Sequence, residues 1–480
     1  MRSVMNWSRF RRLDTRADQK GTAHHRLFQQ WRRSFLRTAI AGLMVLVTAA
    51  PLAVSTSSNP VSVSVSVSVS VPEQAGRIAI RQASTGPEFF DSATGARFVP
   101  RGNNYIRLNS LVDPWGGTSF NHSLFVSKFF DETRTRRALR AMAADGYNIV
   151  RVFTTEISAG SRAGGIDQSY VANLARFIDL AWQHRIRVLV TFWNLPREGG
   201  YQLDHAFPAH VEGINATYLY QPLIDAKKRF LKDFISALKP MVPPEAVFGW
   251  EVENEVTFFE TQKPFSQRSG LFASADGHTY DLASETERNA LADNGLVHWA
   301  NELTRAVKDA DPASLVTASF YSPLAVSGDD PRMIRTSHVM RDADNGGSLL
   351  DFIDIHMYPD SQRMSREMAS FGIPNSGKPI IIGEMGISYP IVSRRSKTAE
   401  AAARSLRALQ TLSCQEEFRV QGWITYTWDT LETQTGARDF YTATADGNGV
   451  IARALAPRYQ KDPCAWSAAE NASITPVTHD

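Results

Sequence analysis

Two glutamates that close apolar runs are the residues best placed to do chemistry. Glu255 ends the run Trp250-Glu251-Val252-Glu253-Asn254-Glu255, and Glu384 follows Ile380-Ile381-Ile382-Gly383. An acid at the end of a strand that should be buried is costly unless it has partners or a task. Two such acids facing each other suit hydrolysis of a glycosidic bond. One carboxyl protonates the leaving oxygen, and the other attacks the sugar or activates water. A separation near ~5 Å implies a covalent intermediate and retained stereochemistry. Glu251, Glu253 and Glu255 alternate, so strand periodicity alone does not choose among them. Glu251 can be an interior ion-pair partner, and Glu253 a loop support.

Other polar side chains gather at the ends of neighbouring apolar runs: Arg151, Asn194, Asn254, His356 and Tyr358. Arg and Asn can hydrogen-bond a sugar hydroxyl and keep a glutamate ionised. Tyr105, Trp193, Tyr358 and Trp428 offer flat faces on which a sugar ring can stack. Plainer readings exist for some of them, with His356 as a hydrogen-bonded core histidine and Arg151 as a structural ion pair. Trp182 and Trp299 fall on helical patterns and read as packing. The histidines show no metal-binding spacing, and the chemistry of a carboxyl pair needs neither metal nor cofactor.

These residues need a scaffold that brings strand ends together. From about residue 95, short apolar runs alternate with amphipathic helices, the pattern of βα units and a parallel sheet. The expected strands are 102–107, 148–153, 187–193, 247–252, 315–320, 352–356, 379–382 and 422–426. The expected helices include 133–144, 170–184, 223–238, 287–309 and 399–412. Eight repeats suit closure into a (β/α)8 TIM barrel, an α/β fold whose chemistry sits at the C-terminal ends of the strands. No glycine-rich phosphate loop follows the first strand, which counts against a dinucleotide fold.

The ordered set of landmarks resembles glycoside hydrolase family 5, in the retaining clan that includes cellulases and β-mannanases. They are Pro100-Arg101-Gly102 with Asn104-Tyr105, Asn148 to Arg151, Asn254-Glu255, His356 to Tyr358, Gly383-Glu384-Met385-Gly386 and Trp428. The resemblance covers roughly residues 88 to 430. It implies Glu255 as acid/base and Glu384 as nucleophile, acting on a β-linked polysaccharide or oligosaccharide. It further implies that Arg151 braces the nucleophile, that Asn254 contacts the hydroxyl beside the reacting carbon, and that His356 and Tyr358 orient the carboxyls. Trp428 would floor the subsite of the reacting sugar. Two departures stand out. Val256 replaces the proline common after the acid/base, and Phe192-Trp193-Asn194 replaces a strand ending that carries histidine in many cellulases of the family. Together with His356-Met357-Tyr358-Pro359-Asp360 and Gly199-Gly200, the second departure favours mannan over β-1,4-glucan. The long segment 260–282 is expected to shape the leaving-group side. A cellulase-like glucanase and a catalytically silent carbohydrate-binding barrel are the alternative readings, and retention of both glutamates weighs against the second.

Charge is uneven along the 480 residues. The formal +3 conceals ten Lys/Arg against two Asp in residues 1–37, so the remainder carries a net −5. A nucleic-acid binder would place its basic footprint on the folded body, and this body is acidic. Arg32-Arg33-Ser34-Phe35-Leu36-Arg37 precedes an apolar run from Thr38 to Val54, which reads as a signal peptide of twin-arginine type. Export to a secreted, periplasmic or cell-surface location follows, with membrane contact only through an uncleaved leader. The Ser/Val alternation between Pro60 and Pro72 reads as an extended spacer. The expected organisation is a leader at 1–54, a linker at 55–87, a single catalytic barrel at 88–456 and a tail at 457–480. Cys414 and Cys464 can pair in an oxidising compartment and tie the tail to the last helix, or remain two thiols.

Overall fold

The computed structural model describes residues 75–464 other than 85, 204–207, 326–329, 359–362, 374–375, 388–398 and 429–448. The chain divides into Met1–Val71 and Pro72–Asp480, and every described residue lies in the second unit. The expected leader, the spacer to residue 74, Pro359, Asp360, Asp429 and the tail beyond residue 464 lie outside the described residues.

A hairpin comes first, β1 (Ile78–Ala83) with antiparallel β2 (Gly86–Asp91). The chain then enters the barrel with β3 (Arg101–Asn104) and makes a second hairpin, β4 (Leu108–Val112) with β5 (Thr118–His122). Regular alternation follows through α1 (Glu132–Ala144), β6 (Ile149–Phe153), α2 (Gln168–Trp182) and β7 (Arg187–Thr191). Next come α3 (Gly213–Leu219), α4 (Gln221–Leu238) and β8 (Val247–Glu251). The long connection after β8 carries β9 (Phe258–Phe259) and the hairpin β10 (Leu271–Ala273) with β11 (Thr279–Asp281), before α5 (Glu285–Ala310). The remaining elements are β12 (Leu315–Thr317), β13 (Ser319–Tyr321), β14 (Arg332–Met333), β15 (Ile353–Met357), α6 (Met364–Ser370), β16 (Ile380–Met385), α7 (Ala399–Ser413), β17 (Val420–Thr425) and α8 (Val450–Leu455). Asp131, Asp167 and Ser284 cap the first turns of α1, α2 and α5 with side-chain oxygens, satisfying amide groups that a helix leaves open at its start.

The parallel sheet runs β12–β8–β7–β6–β3–β17–β16–β15–β13. Its two end strands are halves of one pass, divided at Ala318, so β12 pairs with β8 and β13 with β15. The eight expected strands are all present, the fifth split in two, and the fold is a (β/α)8 barrel.

Side-chain alternation sorts the apolar residues into two layers. Ile149, Leu189, Phe248, Leu315, Ile381 and Ile424 share one small interior cluster, and Ile78 and Phe89 of the first hairpin join them. The Phe89 ring lies 5.4 Å from that of Phe248 and 5.5 Å from that of Phe352. Their strand neighbours Val150, Val188, Val190 and Ile382 pack outward with Leu174, Phe177, Phe234 and Leu303 of the helices. The expected linker at 55–87 therefore extends too far, because the folded body already contains β1, which plugs the barrel floor.

At the other end, Cys414 and Cys464 form a disulfide. Arg101 donates to the carbonyls of Leu455 and Gln460, 2.5 Å each, so the start of the expected tail is anchored under the barrel.

Removing the floor plug tests this packing. Phe89→Ala is expected to lower unfolding free energy by about 3–5 kcal/mol in urea titration. A loss below about 1 kcal/mol would show that the hairpin is not part of the core.

Candidate active site

Arg151, third residue of β6, points into the barrel and is fully buried. A guanidinium has five N–H donors in a fixed plane, and here each has an acceptor. Nε and Nη2 donate to the two oxygens of Glu251 at 2.7 and 2.6 Å. Nη2 also donates to Asn254 Oδ1 at 2.8 Å, and Nη1 donates to Asn104 Oδ1 at 2.9 Å and Glu384 Oε1 at 2.5 Å. Five acceptors from β3, β8, the end of β8 and β16 are thus fixed by one cation.

Glu384 has both oxygens engaged, Oε1 by Arg151 and Oε2 by the hydroxyl of Tyr358. Its partner across the mouth, Glu255, is more open, with a side chain 21% exposed against 6% for Glu384. His356 Nδ1 lies 3.0 Å from Glu255 Oε1 and 3.6 Å from Glu384 Oε2. One oxygen of each glutamate and this nitrogen all lie within 4.8 Å of one another. Two side chains far apart in the sequence are thereby brought into one cleft.

The backbone contributes as well. Glu255 has φ of 51°, the left-handed region that a non-glycine residue enters only where its surroundings hold it. Ser319 does the holding: its Oγ accepts the Glu255 N–H at 2.9 Å, and its carbonyl accepts the Val256 N–H at 2.9 Å. This is the residue that opens β13, which gives the split in the fifth strand a local purpose.

Electrostatics follow from the buried cation. Burial alone would raise the Glu251 carboxyl, but the charge and paired hydrogen bonds of Arg151 outweigh it and hold Glu251 below its ordinary range. Asp354 goes the other way. Burial first, and then the Glu251 charge, push it up to about 8. Burial pulls His356 down, yet Glu384 and the Glu255 contact raise it overall. Tyr358 is driven well up by burial and then by Glu384, so its hydroxyl remains a donor. Glu251, Asp354 and His356 form a second group whose ligand atoms lie within 4.8 Å, as Glu255, His356 and Glu384 do. Both groups have the donor types of a metal site, but in the first Arg151 already provides the positive charge.

The expected site residues divide into those at the carboxyls and those elsewhere. Arg151, Asn254, His356 and Tyr358 all contact Glu255, Glu384 or one another. Trp193 and Asn194 lie beyond β7 on the rim: the Trp193 ring packs edge-on to His122 at 5.8 Å, and Asn194 donates to Glu156, which also accepts from Arg197. Tyr105 and Trp428 are not brought to the carboxyls. Tyr105 is 2% exposed and stacks on Phe177 of α2 at 5.9 Å, and Trp428, 3% exposed, packs edge-on to Tyr147. Both belong to the apolar layer outside the strands. Strand 8 instead presents Tyr426, whose ring lies 5.9 Å from that of Tyr358 and whose hydroxyl is raised by burial and then by the Glu384 charge. Glu251 and Glu253 take the supporting parts open to them, Glu251 with Arg151 and Glu253 with buried Lys227 at 3.1 Å. Asn104 and Asp354 are additions. Asp354 is an acid at an inward position of a mostly apolar strand, the signal that could have found it, whereas β3 reads Arg101-Gly102-Asn103-Asn104 and offers no such contrast for Asn104.

A carboxyl pair at the C-terminal mouth of a (β/α)8 barrel, one acid buried and the other partly open, braced by arginine, histidine and tyrosine, defines the class: a barrel glycosidase. No protein-family model matches the chain. A mannan endo-1,4-beta-mannosidase from Mytilus edulis is 25% identical over 339 residues, covering 64% of this chain and 83% of that protein. The structure of an exo-beta-1,4-mannosidase from Opitutaceae bacterium strain TAV5 superposes with a TM-score of 0.53 at 16% identity, over 81% of this chain. This chain spans 64% of that structure's length. An endo-1,4-beta-mannanase from Rhizomucor miehei gives a TM-score of 0.49 at 16% identity, covering 80% of this chain and 99% of that one. The chain is thus similar in sequence to a mannan-cleaving enzyme and in fold to (β/α)8 barrel enzymes.

Loss of the central cation should be severe, because it leaves Glu251 and Glu384 buried as uncompensated anions. Arg151→Ala is expected to cost about 3–5 kcal/mol of stability. The cost should shrink at acid pH. Glu251 has a depressed carboxyl, so its contribution is present above the unfolded value and lost as pH falls through the folded one. Urea titrations at neutral and acid pH check this, and an equal penalty at both would contradict it.

Proposed function

We propose that this protein is an exported, retaining β-1,4-glycoside hydrolase that cleaves mannan-type polysaccharide by double displacement. The supporting observation is the spacing of Glu255 and Glu384, whose nearest ligand oxygens lie within 4.8 Å. Retaining enzymes hold their carboxyls at about 5 Å, whereas inverting ones leave roughly 6.5–9.5 Å for a water.

In the first step Glu384 attacks the anomeric carbon while Glu255 gives its proton to the glycosidic oxygen, and the carbon–oxygen bond breaks. Arg151 and Tyr358 aim the attacking oxygens and moderate their charge. Once the sugar ester forms, the negative charge on Glu384 is gone and Glu255, having given up its proton, is left as the carboxylate of the site. It then takes a proton from water, the hydroxide attacks the same carbon, and Glu384 leaves as carboxylate. His356 beside Glu255 is suited to orient it in both steps. Asn254, fixed by Arg151, presents its amide to the hydroxyl next to the reacting carbon.

Mannan is preferred over glucan as substrate because the similar mussel protein is named for mannan and because Phe192-Trp193-Asn194 carries no histidine. Export rests on the twin-arginine-like leader, and the Cys414–Cys464 disulfide fits an oxidising destination.

The test is hydrolysis of mannan, glucomannan, carboxymethylcellulose, laminarin and xylan, with products chromatographed and the first-formed anomer read by NMR. Mannan should be cut fastest, with the β-anomer appearing first. Faster release from carboxymethylcellulose would make the enzyme a glucanase, and the α-anomer first would exclude double displacement. Glu384→Ala should lower kcat by about 10³-fold or more in a protein that still folds. The pH profile should be bell-shaped, and a flat one from about pH 4 to about pH 9 would contradict paired carboxyls.

A further inference from the structure

Beneath the two glutamates lies a third acid that the mechanism above does not use. We propose that Asp354 is a positioning residue for both Glu255 and Glu384, and that it does this as a neutral, protonated carboxyl shared between the two arms of the site. The proposal rests on the reading of Glu255 and Glu384 as the catalytic pair.

Asp354 stands two residues before His356 on β15, so both side chains project into the barrel, and both are fully buried. Toward β16, Asp354 Oδ1 accepts the Gly383 N–H at 2.7 Å. Gly383 precedes Glu384, and its own carbonyl accepts from Asn104 Nδ2 at 2.8 Å. The peptide ahead of the nucleophile is therefore pinned on both sides. A side chain at Gly383 would place Cβ 2.0–2.3 Å from the Asp354 carboxyl, so the glycine is required by this acid. Toward the acid/base, His356 Nε2 lies 3.8 Å from Asp354 Oδ1, while Nδ1 of the same ring engages Glu255.

The charge state follows from what surrounds the carboxyl. Arg151 from β6, Glu251 from β8, His356 from its own strand and the Gly383 amide from β16 face it. Arg151 Nε is 3.8 Å from Asp354 Oδ2, but its proton goes to Glu251. Asp354 Oδ2 and His356 Nε2 have no hydrogen-bond partner among the described residues. An ionised carboxylate with one neutral donor and an anion beside it is unfavourable in a dry interior. A proton on Oδ2 removes the charge, while the orphaned Nε2 of the imidazole lies 3.8 Å from the other oxygen of the same carboxyl. The upward shift to about 8, caused by burial and then Glu251, agrees with this.

When Asp354 ionises on the alkaline side, its negative charge helps His356 and Glu255 retain their protons. An asparagine keeps the acceptor for Gly383 but can never supply that charge. Asp354→Asn is therefore expected to lower kcat about three- to tenfold, to leave KM within about twofold, and to move the alkaline limb of kcat/KM to lower pH by about half a unit. The acid limb should stay in place. Superimposable limbs would reduce Asp354 to a structural part and overturn the proposal. A uniform loss beyond about 10³-fold would do the same, since it would mean that an anion is needed. A second readout needs neither a folded variant at this position nor activity. Infrared titration of the wild-type protein and of Glu255→Gln should show a protonated-carboxyl band lost between about pH 7 and about pH 9 in both. Absence of the band from Glu255→Gln overturns the proposal. Activity surviving in Glu384→Ala would instead sink the catalytic-pair reading and leave the infrared result standing.

Discussion

A buried cation with every donor engaged is the interaction on which the rest of this site depends. An unpaired guanidinium in a dry barrel would be prohibitive, and a buried pair is favourable only when geometry satisfies its remaining hydrogen bonds. Arg151 meets that condition through Glu251, Asn254, Asn104 and Glu384. The consequence is reciprocal. Glu384 can be an anion in a nearly closed pocket because Arg151 is there, and Arg151 can be there because Glu251 takes two of its five donors. Glu251 thus acts as a counter-ion that lets one positive charge serve a reactive carboxylate without neutralising it fully.

The barrel makes this possible by a simple division of each strand. Near the floor, inward positions are apolar and meet the Phe89 plug. One or two pleats higher, inward positions become Arg151, Glu251, Asp354 and finally His356. Some of these polar groups meet a partner in register on the next strand, as Arg151 does with Asn104 of β3. His356 lies opposite Glu384 in the β15–β16 ladder, and the irregularity between Ile355 and His356 accompanies the change from packing to chemistry. Strand 5 departs from regularity at the same height, where Ser319 supports the left-handed backbone of Glu255.

This division also decides how much could be read from the sequence. Arg151, His356, Tyr358 and both glutamates stood out as charged or polar residues that interrupt apolar strands, which burial would otherwise penalise. The eight strands were legible for the same reason, through runs such as Val188-Leu189-Val190. Tyr105 and Trp428 were misplaced because an aromatic ring is equally content facing the helices or the cleft. Its type carries no sign of direction once the strand loses its regular pleat, as happens where β3 and β17 end. Hairpin β1–β2 was hidden because its first strand follows a low-complexity alternation, and only the barrel floor distinguishes it from that spacer. The cysteine pairing depended on a tail whose path is set by Arg101.

The position of the reactive pair in this charge arrangement explains why two glutamates differ. Glu384 is held by a cation and a phenol, Glu255 by an imidazole and by greater access to solvent. Donors that stabilise negative charge therefore converge on Glu384, and the neighbour of Glu255 is a group that can either give or accept a proton. A nucleophile needs its charge maintained until attack, and an acid/base needs a proton that comes and goes. Two identical side chains receive these different environments because one lies near the end of β16 beside Arg151 and Tyr358, while the other itself takes the left-handed backbone beyond β8. The sequence types are the same, and the strand ends make them unlike.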